Sequence, residues 1–463
     1  MLPIPEGPAT DLDQLYKTLR PEPLVNPQEF QRFYRPQINA VRGEDTVLTL
    51  ADLLKQSYRA LPYRAFLMGH AGVGKSTEIT RLLDEVKDRQ IGVRLSVATE
   101  LNPASFKVFD VVMLMMIRLA EEAEERGARP LLSPLSVSKI ERLFDTDETK
   151  RSAGRESAVS AEAGAGVKDG SGWAGLFGLF GSTKAEIKYG VERKTETKEY
   201  RFRRHLPELV EACNQLIDAC NEALLEKENK EWILVVEDLE KMGISPQQLQ
   251  ELFIQYGTVF TSLNVNMIFT IPVWLAYSQE AERLPLEKHM VYDTPVYKQN
   301  HTPHEAGRKA VQQVLEARVS SALFVEGQMH RLIVASGGNL RDLFALVQEA
   351  GGAARRRSHG EKVIGEDDVT SAINKMRRDY RMKIGISPYD QSPISQEEKT
   401  KRLLSVYRDE HGNKTPDPAL YALLRARALQ EFNGQFWFGV HPLVVDILKS
   451  DKHLKDDVPG GSY

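Results

Sequence analysis

Cysteine is almost absent from this sequence of 463 residues, which has Cys213 and Cys220 only. So few cysteines exclude the disulfide framework of a small secreted domain. The two lie in "LVEACNQLIDACNEALL", seven residues apart and among leucines at helical spacing. We predict two buried thiols on the core face of one helix.

Long apolar runs are also lacking. No stretch reaches the ~18 apolar residues of a membrane span, and the longest candidates, "VNMIFTIPVWLAY" and "WAGLFGLFG", are shorter. The first residues, "MLPIPEGPATDLDQLYK", do not have the basic region and apolar core of a secretory signal. We expect a cytoplasmic protein without a membrane partner.

An excess of basic charge is the third absence. Lysine and arginine number 61 against 65 acids, a net charge of −4, so no global field favours nucleic acid. A local basic face remains compatible with this balance. The runs "AARRRSHGEK" and "KMRRDYRMK" are therefore interpreted either as solvated faces or as phosphate contacts.

The sequence does contain alternating strand and helix patterns. "YRAFLMG" and "IGVRLSVA" are apolar strand candidates, and "KSTEITRLLDEVKDR" and "SFKVFDVVMLMMIRLAEEAEERG" have helical periodicity. This alternation is typical of a parallel sheet covered on both faces. We predict the α/β class with a doubly wound parallel sheet.

Composition divides the chain into four predicted parts. Residues 1–45 form a lead-in rich in proline and aromatics, 46–300 the α/β core, 301–384 a helical domain, and 385–463 a small α+β domain. In the last part "ALQEF" and "QFWFGV" flank Asn433-Gly434, the strongest two-residue hairpin signal. A helix, this hairpin and a final helix predict a winged-helix-like domain.

A long insertion, rich in glycine, alanine and serine, interrupts the core at about 147–200. Its apolar stretch from Trp173 to Phe180 has three alternative interpretations. It is a loop tucked into the core, a contact for a partner or second subunit, or a hairpin that touches a membrane.

"FLMGHAGVGKSTEI" matches the phosphate-loop pattern G-x-x-x-x-G-K-[ST], with a strand before it and a helix after it. Glycines allow backbone N–H groups to wrap phosphate, and the helix adds the positive end of its dipole. Lys75 is predicted to bridge the β- and γ-phosphates of ATP, Ser76 to bind Mg²⁺, and His70 to fill a permissive position. The residues predicted to bind nucleotide are Gly69, His70, Ala71, Gly72, Val73, Gly74, Lys75, Ser76 and Thr77.

"WILVVEDLEK" is a buried-strand pattern that ends in Glu237, Asp238 and Glu240. Acids at the carboxyl end of such a strand lie beside a phosphate loop, where they serve Mg²⁺ and the attacking water. A solvated strand end is the alternative. Glu240 is expected to point away from the loop, toward a neighbouring subunit.

Taken together, these motifs resemble AAA+ ATPases, above all the origin-recognition initiator branch and the STAND signalling ATPases. The resemblance implies a P-loop sheet with a helical lid and a winged helix, with Ser76, Glu237 and Asp238 at Mg²⁺ and Asp238 also the catalytic base. It further implies that Thr270 and Arg341 sense the nucleotide and that Arg283 is an arginine finger. Core packing is the alternative for Thr270, and a surface position for Arg341 and Arg283.

The resemblance implies two functions. One is an oligomerising nucleotide switch that recruits a protein effector, as in bacterial anti-phage defence; the other is a DNA-remodelling ATPase. Nucleic acid is thus an optional partner. The order Glu237-Asp238 inverts the usual Asp-Glu, and we predict slow hydrolysis because a base misplaced by about 1 Å can cost on the order of 10²-fold in rate. Asp238→Asn is then expected to retain ATP binding and lose turnover.

Overall fold

The fold is that of a computed structural model. It describes residues 5–144, 173–189, 205–241, 244–278, 280–357, 362–385, 394–411, 415–432 and 437–455. Most of the predicted insertion and the Asn433-Gly434 turn lie outside these residues.

Five parallel strands form the central sheet, in the spatial order β2-β3-β4-β1-β5. The first strand thus lies between the fourth and the fifth, and every connection crosses over through helical segments. This order confirms the predicted P-loop α/β sheet. The strands are β1 (Arg64–Gly69), β2 (Gln90–Ser96), β3 (Glu231–Glu237), β4 (Asn266–Pro272) and β5 (Glu287–Met290).

Helices cover the sheet and build the flanking parts. Up to the end of the sheet they are α1 (Leu15–Thr18), α2 (Pro27–Phe33), α3 (Gln37–Ala40), α4 (Thr46–Gln56), α5 (Lys75–Glu85), α6 (Val97–Glu100), α7 (Val108–Glu125), α8 (Pro134–Phe144), α9 (Trp173–Tyr189), α10 (Leu206–Glu228), α11 (Pro246–Gln250) and α12 (Gly257–Thr261). A π-helical turn, Glu251–Gln255, links the last two, and short 3-10 turns span Val273–Tyr277, Ala281–Arg283 and Ser321–Leu323.

The predicted lid contains four helices, α13 (Glu305–Glu316), α14 (Gln328–Ala335), α15 (Leu340–Arg356) and α16 (Glu366–Lys383). The last part contains α17 (Gln396–Tyr407), α18 (Pro418–Arg425), β6 (Leu429–Phe432), β7 (Trp437–Val440) and α19 (Pro442–Ser450). Strands β6 and β7 pair antiparallel as predicted. The winged-helix assignment and the domain boundaries stay predictions.

The central strands are apolar along their length because both of their faces are covered. Every residue of β4 is buried, as are all but the first residue of β3. A cluster of edge-to-face rings between sheet and helices includes Phe66, Phe253 and Phe269, with centroids 4.8 to 6.1 Å apart. The polar ends of these strands are therefore held on a rigid support.

Both cysteines lie buried on α10 as free thiols, which confirms their predicted place. Burial raises the pKa of the Cys213 thiol to about 12. A thiol of this kind stays protonated and packs as a small apolar group.

The apolar stretch of the insertion forms α9, which packs against α7 and α8. Leu176 and Phe180 are buried, and the Trp173 indole N–H donates to Glu124 at 2.8 Å. The burial agrees with the tucked-in interpretation, but a helix replaces the predicted loop or hairpin. The interpretations as a partner contact and as a membrane contact stay predictions. No helix in the described ranges is long and apolar enough to cross a membrane.

Candidate nucleotide site

The loop between β1 and α5 has the backbone of a phosphate-binding loop. Gly69, Gly72 and Gly74 have φ of 153°, 93° and 105°, in the region where a Cβ is disfavoured. At Gly72 a Cβ would also lie 2.4 Å from Asn339 Oδ1 on the lid. The glycines are thus required both by backbone curvature and by the close approach of the lid.

Lys75 opens α5 and is buried. Its Nζ donates to the carbonyls of Gly69 at 3.0 Å and His70 at 3.1 Å, and lies 2.9 Å from Glu240 Oε1. The prediction that Glu240 points away from the loop is therefore wrong. Glu240 is the acid of this turn that pairs with Lys75.

Glu237 ends β3 and faces β2. Its Oε2 accepts from Arg94 Nε at 2.7 Å, and the same guanidinium donates to the Ser76 carbonyl at 3.0 Å. Its Oε1 is buried and has no hydrogen-bond partner in the described part of the chain. An unpaired buried carboxylate oxygen costs free energy unless a cation or donor satisfies it.

This orphaned oxygen fits the predicted magnesium site. Mg²⁺ prefers few protein ligands and fills its remaining positions with water and phosphate oxygens. Among the described residues no cluster of three or more His, Cys, Asp or Glu could hold a metal alone. A site that combines the Ser76 hydroxyl with Glu237 Oε1 therefore suits an ion that arrives with a nucleotide.

Asp238 follows β3 and lies against β2. Its φ of 71° is left-handed, and its Oδ2 accepts from Ser96 Oγ at 2.5 Å and pairs with Lys241 at 2.9 Å. Its carboxylate is already bonded to β2 and to its own turn. The roles predicted for Asp238, as a metal ligand and as the base, stay predictions.

Thr270 lies near the carboxyl end of β4 and is buried. Its hydroxyl accepts from the backbone N–H of Asp238 at 3.2 Å and reaches Glu240 Oε2 at 3.5 Å. The fold therefore brings Thr270 beside the acidic turn. Its role as a sensor stays a prediction.

Asn339 and Arg341 begin the lid helix α15 against the loop. Asn339 caps the helix and donates through Nδ2 to the Ala71 carbonyl at 3.0 Å. Arg341 is exposed, and its Cβ lies 2.6 Å from a Cβ built at Gly72. The lid arginine is thus close to the loop, whereas Arg283 is exposed in the turn before β5, and its finger role stays a prediction.

His70 has a specific partner, which sequence reasoning missed. Its Nδ1 lies 2.5 Å from Asp293 Oδ2, and both side chains are buried. Burial raises the pKa of Asp293, but the charge and hydrogen bond of His70 outweigh it and hold the pKa below its usual range. Position 70 therefore does more than tolerate a histidine. In the sequence, Asp293 is marked only by its place in "VYDTPVY", just after β5.

Arg427, from the C-terminal part, also reaches the loop. Its guanidinium pairs with Asp342 at 2.9 Å and donates to the Ala71 carbonyl at 3.3 Å. The ion pair between Arg427 and Asp342 therefore links the C-terminal part to the lid helix α15 beside the phosphate loop.

No protein-family model matches the chain, and no curated protein matches it. Solved structures with a similar arrangement include a Walker-type ATPase of Pyrococcus abyssi, at 13% identity and a TM-score of 0.42, covering 93% of this chain and 99% of that one. The Orc1 protein of Aeropyrum pernix in complex with DNA gives 12% identity and a TM-score of 0.39, covering 92% and 96%.

The RuvB Holliday junction branch migration motor of Thermotoga maritima gives 11% identity and a TM-score of 0.34, covering 96% of this chain and 100% of that one. Values this low assign neither a family nor an activity. The fold class rests on the sheet order and on the loop that follows β1.

Proposed function

We propose that this protein binds ATP with Mg²⁺, hydrolyses it slowly, and acts as a nucleotide-controlled switch that oligomerises and regulates a partner protein. Nucleotide binding is supported by the three positive-φ glycines and by the buried Lys75 at the start of α5. Backbone N–H groups and a lysine at a helix N-terminus form a site for phosphates.

Ser76 and Glu237 would hold the magnesium ion. When bound, Mg²⁺ neutralises charge on the β- and γ-phosphates. Arg94 keeps the Glu237 carboxylate in place, since it bonds Oε2, and Oε1 has no partner among the described residues.

One observation carries the switch. The Ala71 carbonyl accepts from Asn339 of the lid and from Arg427 of the C-terminal part. A single backbone carbonyl of the phosphate loop therefore contacts both the lid and the C-terminal part, and the pair between Arg427 and Asp342 joins these two parts to each other, so a change at the loop would reach them together. A ligand shifts such an equilibrium by its differential affinity for the two arrangements.

Slow hydrolysis is supported by the order Glu237-Asp238, which inverts the usual Asp-Glu. The ion pair between Lys75 and Glu240 acts on binding instead. It is largely buried, so a triphosphate that binds Lys75 must replace it, and separating a buried pair has a desolvation cost that weakens the affinity for ATP.

DNA remodelling is the alternative, and the basic runs do not favour it. Arg355, Arg357 and Arg381 pair with Asp13, Asp368 and Asp451 respectively, at 2.8 to 3.1 Å. Helix α18, which precedes the β6–β7 pair, is mostly buried. The effector, and a role in anti-phage defence, rest on the sequence resemblance to STAND-type ATPases alone.

Lys75→Ala tests nucleotide binding. Removing one charge of a buried pair costs about 2–5 kcal/mol, or roughly 30-fold or more in affinity. We expect that loss in titrations with a fluorescent ATP analogue, together with loss of turnover. Lys87→Ala, an exposed lysine just beyond α5, is the control and should bind ATP normally.

Light scattering of the same samples tests the switch. We expect a larger mass with ATP than with ADP for the wild type, and no change for Lys75→Ala. A monomer with both nucleotides contradicts the oligomerising switch. Duplex binding at low salt that collapses toward physiological salt would favour DNA remodelling instead.

A further inference from the structure

We propose that Glu240, rather than Asp238, is the general base that activates the attacking water. This inference rests on the proposed ATPase function and assigns its catalytic carboxylate. It concerns the third acid of "VVEDLE", two residues beyond the position that the sequence pattern favours.

The first support is position. The Glu240 carboxylate lies between Lys75 and Thr270, with Oε1 2.9 Å from Lys75 Nζ and Oε2 3.5 Å from Thr270 Oγ1. Lys75 is the group expected to bind the γ-phosphate. A base must lie within reach of the water beside that phosphate, either directly or through one hydrogen bond.

The backbone explains why the acid at 240 reaches the loop. Asp238 adopts a left-handed φ of 71°, and its N–H is held by Thr270 at 3.2 Å. The chain therefore leaves the strand direction immediately after β3. Leu239 is then buried in the core, and Glu240 lies back against the phosphate loop.

The second support is that the other two acids have different partners. Glu237 is bonded to Arg94 at 2.7 Å, and Asp238 to Ser96 at 2.5 Å and Lys241 at 2.9 Å. Neither pair involves a group that a triphosphate would draw away. Only the Glu240 pair contains Lys75, so among the three acids Glu240 is the one whose partner nucleotide binding removes.

The step then balances as follows. The ammonium group of Lys75 pairs with the β- and γ-phosphate oxygens instead of Glu240. The Glu240 carboxylate loses this partner and stays beside Thr270. The water oxygen bonds to the γ-phosphorus, and the bond from that phosphorus to the β–γ bridging oxygen breaks, so that its electron pair leaves with ADP. One water proton passes to the Glu240 carboxylate and then to solvent, and the other remains on phosphate.

Glu240→Gln tests this assignment, with phosphate release measured at saturating ATP and affinity measured with a fluorescent ATP analogue. General-base catalysis contributes about 10²–10⁴-fold, so we expect turnover to fall at least 100-fold while ATP affinity is unchanged or higher. Glu226→Gln, an exposed acid on α10, is the matched control and should equal the wild type.

A role for Glu240 as a mere counterion of Lys75 predicts a different result. Glu240→Gln would then alter ATP affinity and leave turnover within a few-fold of the wild type, which overturns the proposal. The proposal also fails if Asp238→Asn abolishes turnover while Glu240→Gln keeps it. Should Glu240→Gln not fold, Glu240→Asp decides, since a shorter base should lower turnover on the order of 10²-fold at equal affinity.

The wild type, measured in parallel, separates the two levels of inference. A wild type that binds ATP and never releases phosphate contradicts the ATPase function, and this assignment with it. A wild type that turns over equally with Glu240→Gln contradicts the assignment alone.

Discussion

Two clusters of buried charge adjoin the phosphate loop, and their polar groups are satisfied to different degrees. One is the acidic turn, residues 237–240, with Lys75. The other is the lid junction, which we define as Asn339, Asp342, Tyr380, Arg427 and His441. In the proposed mechanism, side chains of the acidic turn change their partners when nucleotide binds, whereas those of the lid junction keep theirs.

In the lid junction both oxygens of Asp342 are bonded. Oδ1 pairs with Arg427 at 2.9 Å, and Oδ2 accepts from the Tyr380 hydroxyl at 2.6 Å. His441 stacks on Tyr380 with centroids 4.3 Å apart. Burial raises the pKa of Asp342, but Arg427 and its other partners outweigh it and hold the pKa below its usual range.

In the acidic turn the bonding is incomplete. Glu237 Oε1 has no partner among the described residues, and the contact of Glu240 Oε2 with Thr270 is long, at 3.5 Å. His70 Nε2, on the loop itself, is likewise buried without a partner in the described part. Because incompletely bonded buried groups are costly, they indicate a site completed by a ligand, whereas the bonded junction is a structural clamp.

Arg427→Ala, which removes a charge from the lid junction, should have the largest effect on the free energy of unfolding. The change leaves the Asp342 carboxylate buried without its charge partner, which costs about 3–5 kcal/mol. We expect the free energy of unfolding to fall by that amount in urea titrations followed by tryptophan fluorescence.

Arg408→Ala provides the matched control, since Arg408 is half exposed and pairs with Glu410 at 3.5 Å. It should change stability by less than about 0.5 kcal/mol. An Arg427→Ala protein as stable as this control would show that the junction is not a clamp.

Glu431→Gln tests a buried carboxyl outside both clusters, on β6. Burial raises the pKa of Glu431 to about 7, although the Tyr277 hydroxyl, which donates to it at 2.7 Å, acts in the opposite direction. Between about pH 4.5 and 7 the native state therefore holds a proton on Glu431 that the unfolded state has lost. Stability from this group is present at low pH and is lost as pH rises through 7.

We expect Glu431→Gln to match the wild type near pH 4 and to be more stable at pH 8 by about 3 kcal/mol. Urea titrations at both values measure the difference. Equal stabilities at pH 8 would mean that Glu431 is ionised there at no cost in free energy of unfolding, and that its contact with Tyr277 is insensitive to pH.

Thr270→Val, beside the acidic turn, should have the smallest effect on stability. Valine preserves the shape but removes the hydroxyl that accepts from the Asp238 N–H at 3.2 Å. We expect a loss of about 1–2 kcal/mol in stability and a lower rate of phosphate release.

Thr270→Ser retains the hydroxyl and is the control for that change. If both variants release phosphate at the wild-type rate, Thr270 is a core residue and its sensor role is excluded. A rate lowered in Thr270→Val alone assigns the effect to the hydroxyl.

The elements were predictable where their signals are local. The phosphate loop has its residues adjacent in sequence, and the strand before it and the helix after it have clear periodicity. The antiparallel pairing of β6 and β7 was also predicted from neighbouring residues. The helical form of α9 was missed, because glycines at 175, 178 and 181 weaken its helical pattern.

The partners of the site residues were not predictable in the same way. His70 meets an aspartate 223 positions later, and Arg427 contacts a carbonyl 356 positions earlier. The pairing of Glu240 with Lys75 depends on the left-handed backbone of Asp238. Aspartate tolerates this conformation, but an aspartate in the sequence does not predict it.

Local patterns predict the α/β class, the phosphate loop and the acids that follow β3, because apolar periodicity and glycine spacing act over a few residues. Long-range contacts set which acid faces Lys75, which arginine pairs with Asp342, and which carboxylate oxygen of Glu237 has no partner among the described residues. Those outcomes depend on how distant segments compete for the same charged groups once water is excluded, and that competition exists only in the folded chain.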